Sequence, residues 1–129
     1  MVGFSCYCYC GSGRAFETCC QTLLLGKQKA TTAEALMRSR YAAYATQNVD
    51  YLIATTHSSQ RKYYLKDEIL FWASSNQWQR LEISSVTLTT VDFKAYFIDA
   101  NNQLQVHHEH SRFAIENNEW MYVDGDYFE

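Results

Sequence analysis

Every cysteine of the chain lies within its first 20 residues, at Cys6, Cys8, Cys10, Cys19 and Cys20, and the other 109 residues have none. The set is odd in number and badly spaced for disulfides. Cys8 and Cys10 are one residue apart and Cys19 and Cys20 are adjacent, spacings that strain the bond geometry. The same spacing suits a metal. Cys8-Tyr9-Cys10 presents two thiolates from one tight knuckle, and Gly11-Ser12-Gly13 lets backbone amides turn toward the sulfurs. The eight residues between Cys10 and Cys19 are enough to bring Cys19-Cys20 back to the same point. Four thiolates around one ion predict a closed, tetrahedral, structural zinc site on Cys8, Cys10, Cys19 and Cys20. The competing readings are free thiols in a frayed N-terminus and a redox or disulfide role. Cys6-Tyr7-Cys8 repeats the spacing, but the glycine run favours Cys8 and Cys10, so Cys6 is expected to be a spare thiol. Free thiols and a thiolate zinc site both fit a reducing cytoplasm.

The chain has 129 residues, 47% apolar and 19% charged. This composition fits one globular domain with a small appendage, and a core large enough to need no disulfide framework. No apolar run approaches the roughly 18 residues of a membrane helix. Met1 to Cys10 lack a basic n-region and a long apolar h-region, so no secretory signal is expected. The net charge is −3, split as +2 over residues 1–30 and −5 over the rest. The acidic part has no basic stripe for a phosphate backbone. A zinc ion with four thiolates carries −2 and offsets the local +2. The knuckle is then nearly neutral and bears Tyr7, Tyr9 and Phe16, a surface for protein or for self-docking rather than for nucleic acid.

Beyond the knuckle the hydrophobic period changes once. Thr31 and Glu34 read as a capping box, starting a helix near Thr32 that carries Leu36, Met37, Arg40, Tyr41 and Tyr44 and ends near Asn48. A shorter helix covers residues 49–54, and a third spans about Tyr64 to Ser75. From there the period is two. Strands are expected over residues 78–90, 93–99, 104–116 and 120–124, with Asn101-Asn102 and Asn117-Asn118 as turns. The organisation is a knuckle and linker over residues 1–28 and an α+β domain over 29–129. In that domain, three helices pack on a curved, antiparallel four-stranded sheet that forms a cone with an inner pocket. On the third strand an unbroken pleat puts His108, His110 and Arg112 on the face of Leu104 and Val106, and Phe113 and Ile115 on the other. Either a bulge intervenes or polar groups line the inner cup.

Two resemblances follow from these residues. Cys8-Tyr9-Cys10-Gly11-Ser12-Gly13-Arg14-Ala15-Phe16 through Cys19-Cys20 resembles the SEC-C motif, the zinc-binding tail of the translocase ATPase SecA, which recurs in small bacterial proteins. The resemblance implies Cys8, Cys10, Cys19 and Cys20 as ligands, with Tyr9 at the usual proline. Leu36 to Tyr44, Val49 to His57, His110 to Phe113 and Trp120 to Gly125 resemble the YchJ family. That resemblance implies an N-terminal SEC-C knuckle followed by a nuclear-transport-factor-2-like domain. It implies no settled activity. Thr56 stands where the family usually has Trp.

Candidate residues for the cone pocket are Arg40, Tyr41, Tyr44, Asp50, His57, Trp72, His110, Arg112 and Trp120. Arg40 and Arg112 suit an anion clamp or structural ion pairs with Asp50, Glu109 or Asp124. His57 suits a general base near Asp50 or a helix-terminal residue. The aromatics suit a ligand pocket or a core. His107, His108 and His110 lack a partner to complete a second metal site. The first functional reading is a non-enzymatic zinc-bearing adaptor whose knuckle binds a protein partner. The alternative is a small enzyme or ligand carrier using the pocket, which requires Asp50, His57 and Arg112 to converge on one cavity. Nucleic-acid binding comes last, and membrane insertion is not expected.

Overall fold

The computed structural model describes residues 7–128, so Cys6 lies outside the described residues. The element order is α1 (Cys20–Leu24), α2 (Ala33–Ala45), α3 (Val49–Ala54), α4 (Lys66–Ser75), β1 (Gln77–Val86), β2 (Thr90–Ile98), β3 (Leu104–Glu116) and β4 (Glu119–Phe128). The strands form one antiparallel meander in the order β1-β2-β3-β4. The expected α+β architecture is present, with α1 added inside the stretch read as knuckle and linker. Among the described residues no helix is long and apolar enough to cross a membrane.

Helix α2 is the hub, and its sequence explains why. Leu36, Met37 and Tyr41 join a core with Leu81, Val91, Phe93, Ala95, Phe113 and Tyr122 of the sheet. Ala42 points at the knuckle cysteines, and Ala43 packs with Val49, Leu52 and Ile69 of α3 and α4. Two consecutive alanines let the helix be approached closely from both sides. Its N-cap is Thr32, whose Oγ1 accepts from the Ala35 amide at 3.0 Å. The capping box expected of Thr31 and Glu34 is therefore absent. Glu34 instead pairs with Arg38 at 2.9 Å, the more favourable i,i+4 arrangement on an exposed face.

The sheet boundaries differ from the periodicity in an explicable way. Thr87 Oγ1 accepts from the amides of Thr89 and Thr90, so a side-chain-bonded turn ends β1 at Val86 and starts β2 early. The β3–β4 turn uses Asn117 and Asn118, both at positive φ, as a two-residue hairpin requires. β4 continues past the Asp124 expected as its end. β3 runs in unbroken register with β2 from Thr90↔Arg112 to Ile98↔Leu104. The bulge lies on β4 instead: pairing jumps from Arg112↔Asp124 to Phe113↔Tyr122, leaving Val123 unpaired in the register. That extra residue lets both Tyr122 and Tyr127, five apart, line the inner cavity.

Candidate functional site

The knuckle closes on itself before it docks. Tyr7 bridges Ala15, and the Cys8 amide donates to the Arg14 carbonyl at 2.7 Å. Gly11 turns the chain at φ 79°, a conformation that glycine adopts without penalty. Cys8, Cys10, Cys19 and Cys20 are all buried, and their four sulfurs lie within 4.8 Å of one another. The Cys10 and Cys19 sulfurs are 3.6 Å apart, close to the about 3.8 Å that tetrahedral Zn–S bonds of about 2.3 Å impose. Amides of Cys10 and Cys20 lie toward the Cys8 sulfur and that of Ser12 toward the Cys10 sulfur. Ser12 Oγ and Arg14 Nη2 approach the Cys19 sulfur at 3.2 and 3.7 Å. A donor shell of this kind suits concentrated thiolate charge. Crowding splits the thiols even without an ion. Hydrogen bonding from Cys20 pulls Cys10 down to about 4. The same bond raises Cys20, and burial raises Cys8. The donor set and its geometry fit a thiophilic metal.

The knuckle is seated on the main domain. Arg38 Nη1 of α2 donates to the Cys10 carbonyl at 2.6 Å, and Ala42 completes the apolar cluster around the sulfurs with Phe16 and Leu24. A cleft of about 480 Å³ opens between the knuckle and the start of α2, lined by Arg14, Cys19, Thr32 and Arg38 among others.

The second locus is a cavity of about 170 Å³ inside the cone. Of the sequence candidates it gathers Arg40, Tyr41, Tyr44 and Trp72. The other five lie elsewhere. Asp50 is exposed and pairs with Lys66 at 3.0 Å. His57 meets Ser59 and, at 3.6 Å, Glu116. His110 faces Asp92 on the outer side of the sheet. Arg112 bonds Asp124 at 2.6 Å and Asp126 at 2.9 Å on that same outer side. Trp120 packs beside the core, its indole donating to the Thr31 carbonyl at 3.3 Å. Asp50, His57 and Arg112 thus lie on separate surfaces, and the triad required by the enzyme reading does not form. The reason on β3 is parity. The inward residues are His107, Glu109, Ser111 and Phe113, while His108, His110 and Arg112 point out.

The inward set was missed, although Phe113 signalled it. Once an aromatic anchors the core face, alternation assigns 111, 109 and 107 to that face too. Glu109 is the centre of the group, at 5% exposure. Its carboxylate accepts from His107 Nε2 at 2.8 Å, Ser111 Oγ at 2.7 Å and Tyr122 OH at 2.6 Å. Burial pushes its pKa up, yet these three donors outweigh burial and hold it below the ordinary carboxylate range. Gly125 makes this possible, because a Cβ there would overlap the Glu109 side chain. Burial raises Tyr41 to about 12 and pushes up Tyr122, which also donates to Glu109.

Comparison with known proteins agrees with this architecture. The family model for the YchJ middle NTF2-like domain matches residues 32–125. The chain belongs to the YchJ family. A UPF0225 protein of Geobacter sulfurreducens is 37% identical over 125 residues, covering 92% of this chain and 77% of the relative. A UPF0225 protein of Yersinia pestis is 38% identical, covering 92% and 81%. A SEC-C motif containing protein from Rhodopseudomonas palustris superposes with a TM-score of 0.86 at 35% identity, covering 95% of this chain and 98% of that one. A SEC-C motif containing protein from Psychrobacter arcticus gives 0.80 at 29% identity, covering 98% and 84%. The cysteine cluster and these neighbours make the YchJ-like chain a candidate metal binder with an NTF2-like domain.

Proposed function

We propose that the chain is a zinc-bearing adaptor of a reducing cytoplasm. Cys8, Cys10, Cys19 and Cys20 hold one structural Zn²⁺, and the ordered knuckle presents a surface to a protein partner. The observation that carries this reading is the seating of the knuckle. It buries all four sulfurs against α2 while leaving Tyr7 and Tyr9 at 70% and 49% exposure. An isolated loop this short cannot hold such rings in place, and a closed four-thiolate site supplies the missing rigidity. Zn²⁺ with four thiolates leaves no coordination position for water, so its role is to shape a surface rather than to activate a nucleophile. Exposed tyrosines on an ordered knuckle are the residue type that binding surfaces favour.

The test is capture with the intact, zinc-loaded chain as bait. A partner retained by the wild type is expected to be lost by Cys19→Ser, which dissolves the knuckle, and by Tyr7→Ser/Tyr9→Ser, which keeps the metal. Retention by both variants contradicts the adaptor reading.

A further inference from the structure

Arg40 is 3% exposed, and its guanidinium offers five N–H donors and no acceptor. One terminal nitrogen does all its hydrogen bonding. Nη1 donates to the Leu52 carbonyl at 2.9 Å, Thr55 Oγ1 at 2.7 Å and Thr56 Oγ1 at 3.4 Å. Its guanidinium carbon stands 4.6 Å from the centroid of the Tyr122 ring. Among the described residues no carboxylate lies within ion-pair distance of Arg40, and Nε and Nη2 have no acceptor. The short parallel bridge between Thr56 and Tyr122 fixes this geometry, with the Tyr122 amide donating to the Thr55 carbonyl at 2.8 Å. A buried cation without a counter-charge is strongly disfavoured, and here Arg40 lines a cavity.

Glu109 does not neutralise it. The Tyr122 side chain stands between them, with its ring face under Arg40 and its hydroxyl on Glu109. Three of the roughly four lone-pair sites of that carboxylate are already filled. The cavity is thus bipolar. One end offers the free N–H edge of a guanidinium, which matches a carboxylate in bidentate fashion. The other offers the one open acceptor site of Glu109. The rings of Tyr44, Trp72 and Trp78 also line the cavity. The volume, about 170 Å³, slightly exceeds the about 150 Å³ that accommodates a benzene ring.

We propose that this cavity binds a compact planar organic acid of about one ring, its carboxylate on Arg40 Nε and Nη2 and its flat body between the aromatic walls.

The test is an amide and indole NMR titration of the zinc-loaded full chain with benzoate, 4-hydroxybenzoate and benzylamine, each to about 5 mM. Both acids are expected to move the Trp72 and Trp78 indole signals saturably, and benzylamine to leave them still. Arg40→Met is expected to weaken benzoate at least about tenfold. Arg40→Lys keeps the charge but loses the fork, and weakens it too. Benzylamine binding as well as benzoate, no saturable shift with either acid, or an unchanged benzoate affinity in a folded Arg40 variant each overturns the proposal. If neither variant folds, the comparison of acids with amine on the wild type decides alone.

Discussion

Cys10→Ser is expected to lower the thermal midpoint by at least about 10 °C, and chelation of the wild type to reproduce the loss without the mutation. Cys10 has no exposure, shares a cluster with Cys8, Cys19, Cys20 and Ala42 of α2, and its carbonyl is the acceptor for Arg38. Losing the metal proposed for this cluster therefore frees more than a loop. Four desolvated sulfurs must find water, the Arg38 anchor goes slack, and the Ala42 face of α2 is uncovered. The sheet core with Leu36, Val91 and Phe113 shares no buried residue with the cysteine cluster, so the far-ultraviolet signature of β-structure should persist at room temperature. Differential scanning fluorimetry with and without chelator measures the shift. Equal midpoints for wild type, chelated wild type and Cys10→Ser would show that the cluster contributes nothing to the fold.

Glu109→Gln is expected to cost about 2–4 kcal/mol near neutral pH, and the cost should depend on pH in a defined direction. The folded carboxylate titrates below its ordinary value because His107, Tyr122 and Ser111 donate to it, against the upward push of burial. A depressed folded pKa means stability that is fully present above the unfolded value and lost as pH falls through the folded one. The gap between wild type and variant should be widest above the ordinary carboxylate range and should narrow as pH falls below it, through the lower folded value. Urea titrations at a series of pH values read this out. A gap that stays constant down to about pH 3 would mean that folding does not shift the Glu109 carboxyl, and one that widens on acidification would mean that it is protonated in the folded chain; either contradicts the account.

Much of this molecule is legible in its sequence. The cysteine spacing singled out four residues whose sulfurs do converge, because two short local pairs joined by a brief turn leave few alternatives. The change of period from 3.6 to 2 near residue 76 separated helices from sheet correctly, since a meander with short turns permits one topology. The cone's interior was half legible. Arg40, Tyr41 and Tyr44 share a helix face with the obvious apolar residues Leu36 and Met37, and the period exposed them. The β3 contribution was not legible by the same reasoning. Leu104 and Val106 look like core anchors but are exposed at the open end of the sheet, whereas the polar trio His107, Glu109 and Ser111 is inside. Polar residues turn inward there because each satisfies another, and because Gly125 on the facing strand removes the side chain that would exclude Glu109. Neither fact is a property of any window of sequence. Asp50 and His57 misled for the opposite reason: helix-end residues near each other in sequence point to different surfaces when α3 is only six residues long.

The central claim is that one zinc ion ties the knuckle to the domain through Cys8, Cys10, Cys19 and Cys20. Native mass spectrometry on untagged, reduced protein tests it directly. The account predicts a single species carrying one zinc per chain, and a zinc-free species for Cys10→Ser. A fully reduced wild-type chain that carries no metal, or that keeps its zinc when Cys10 is replaced, would contradict it.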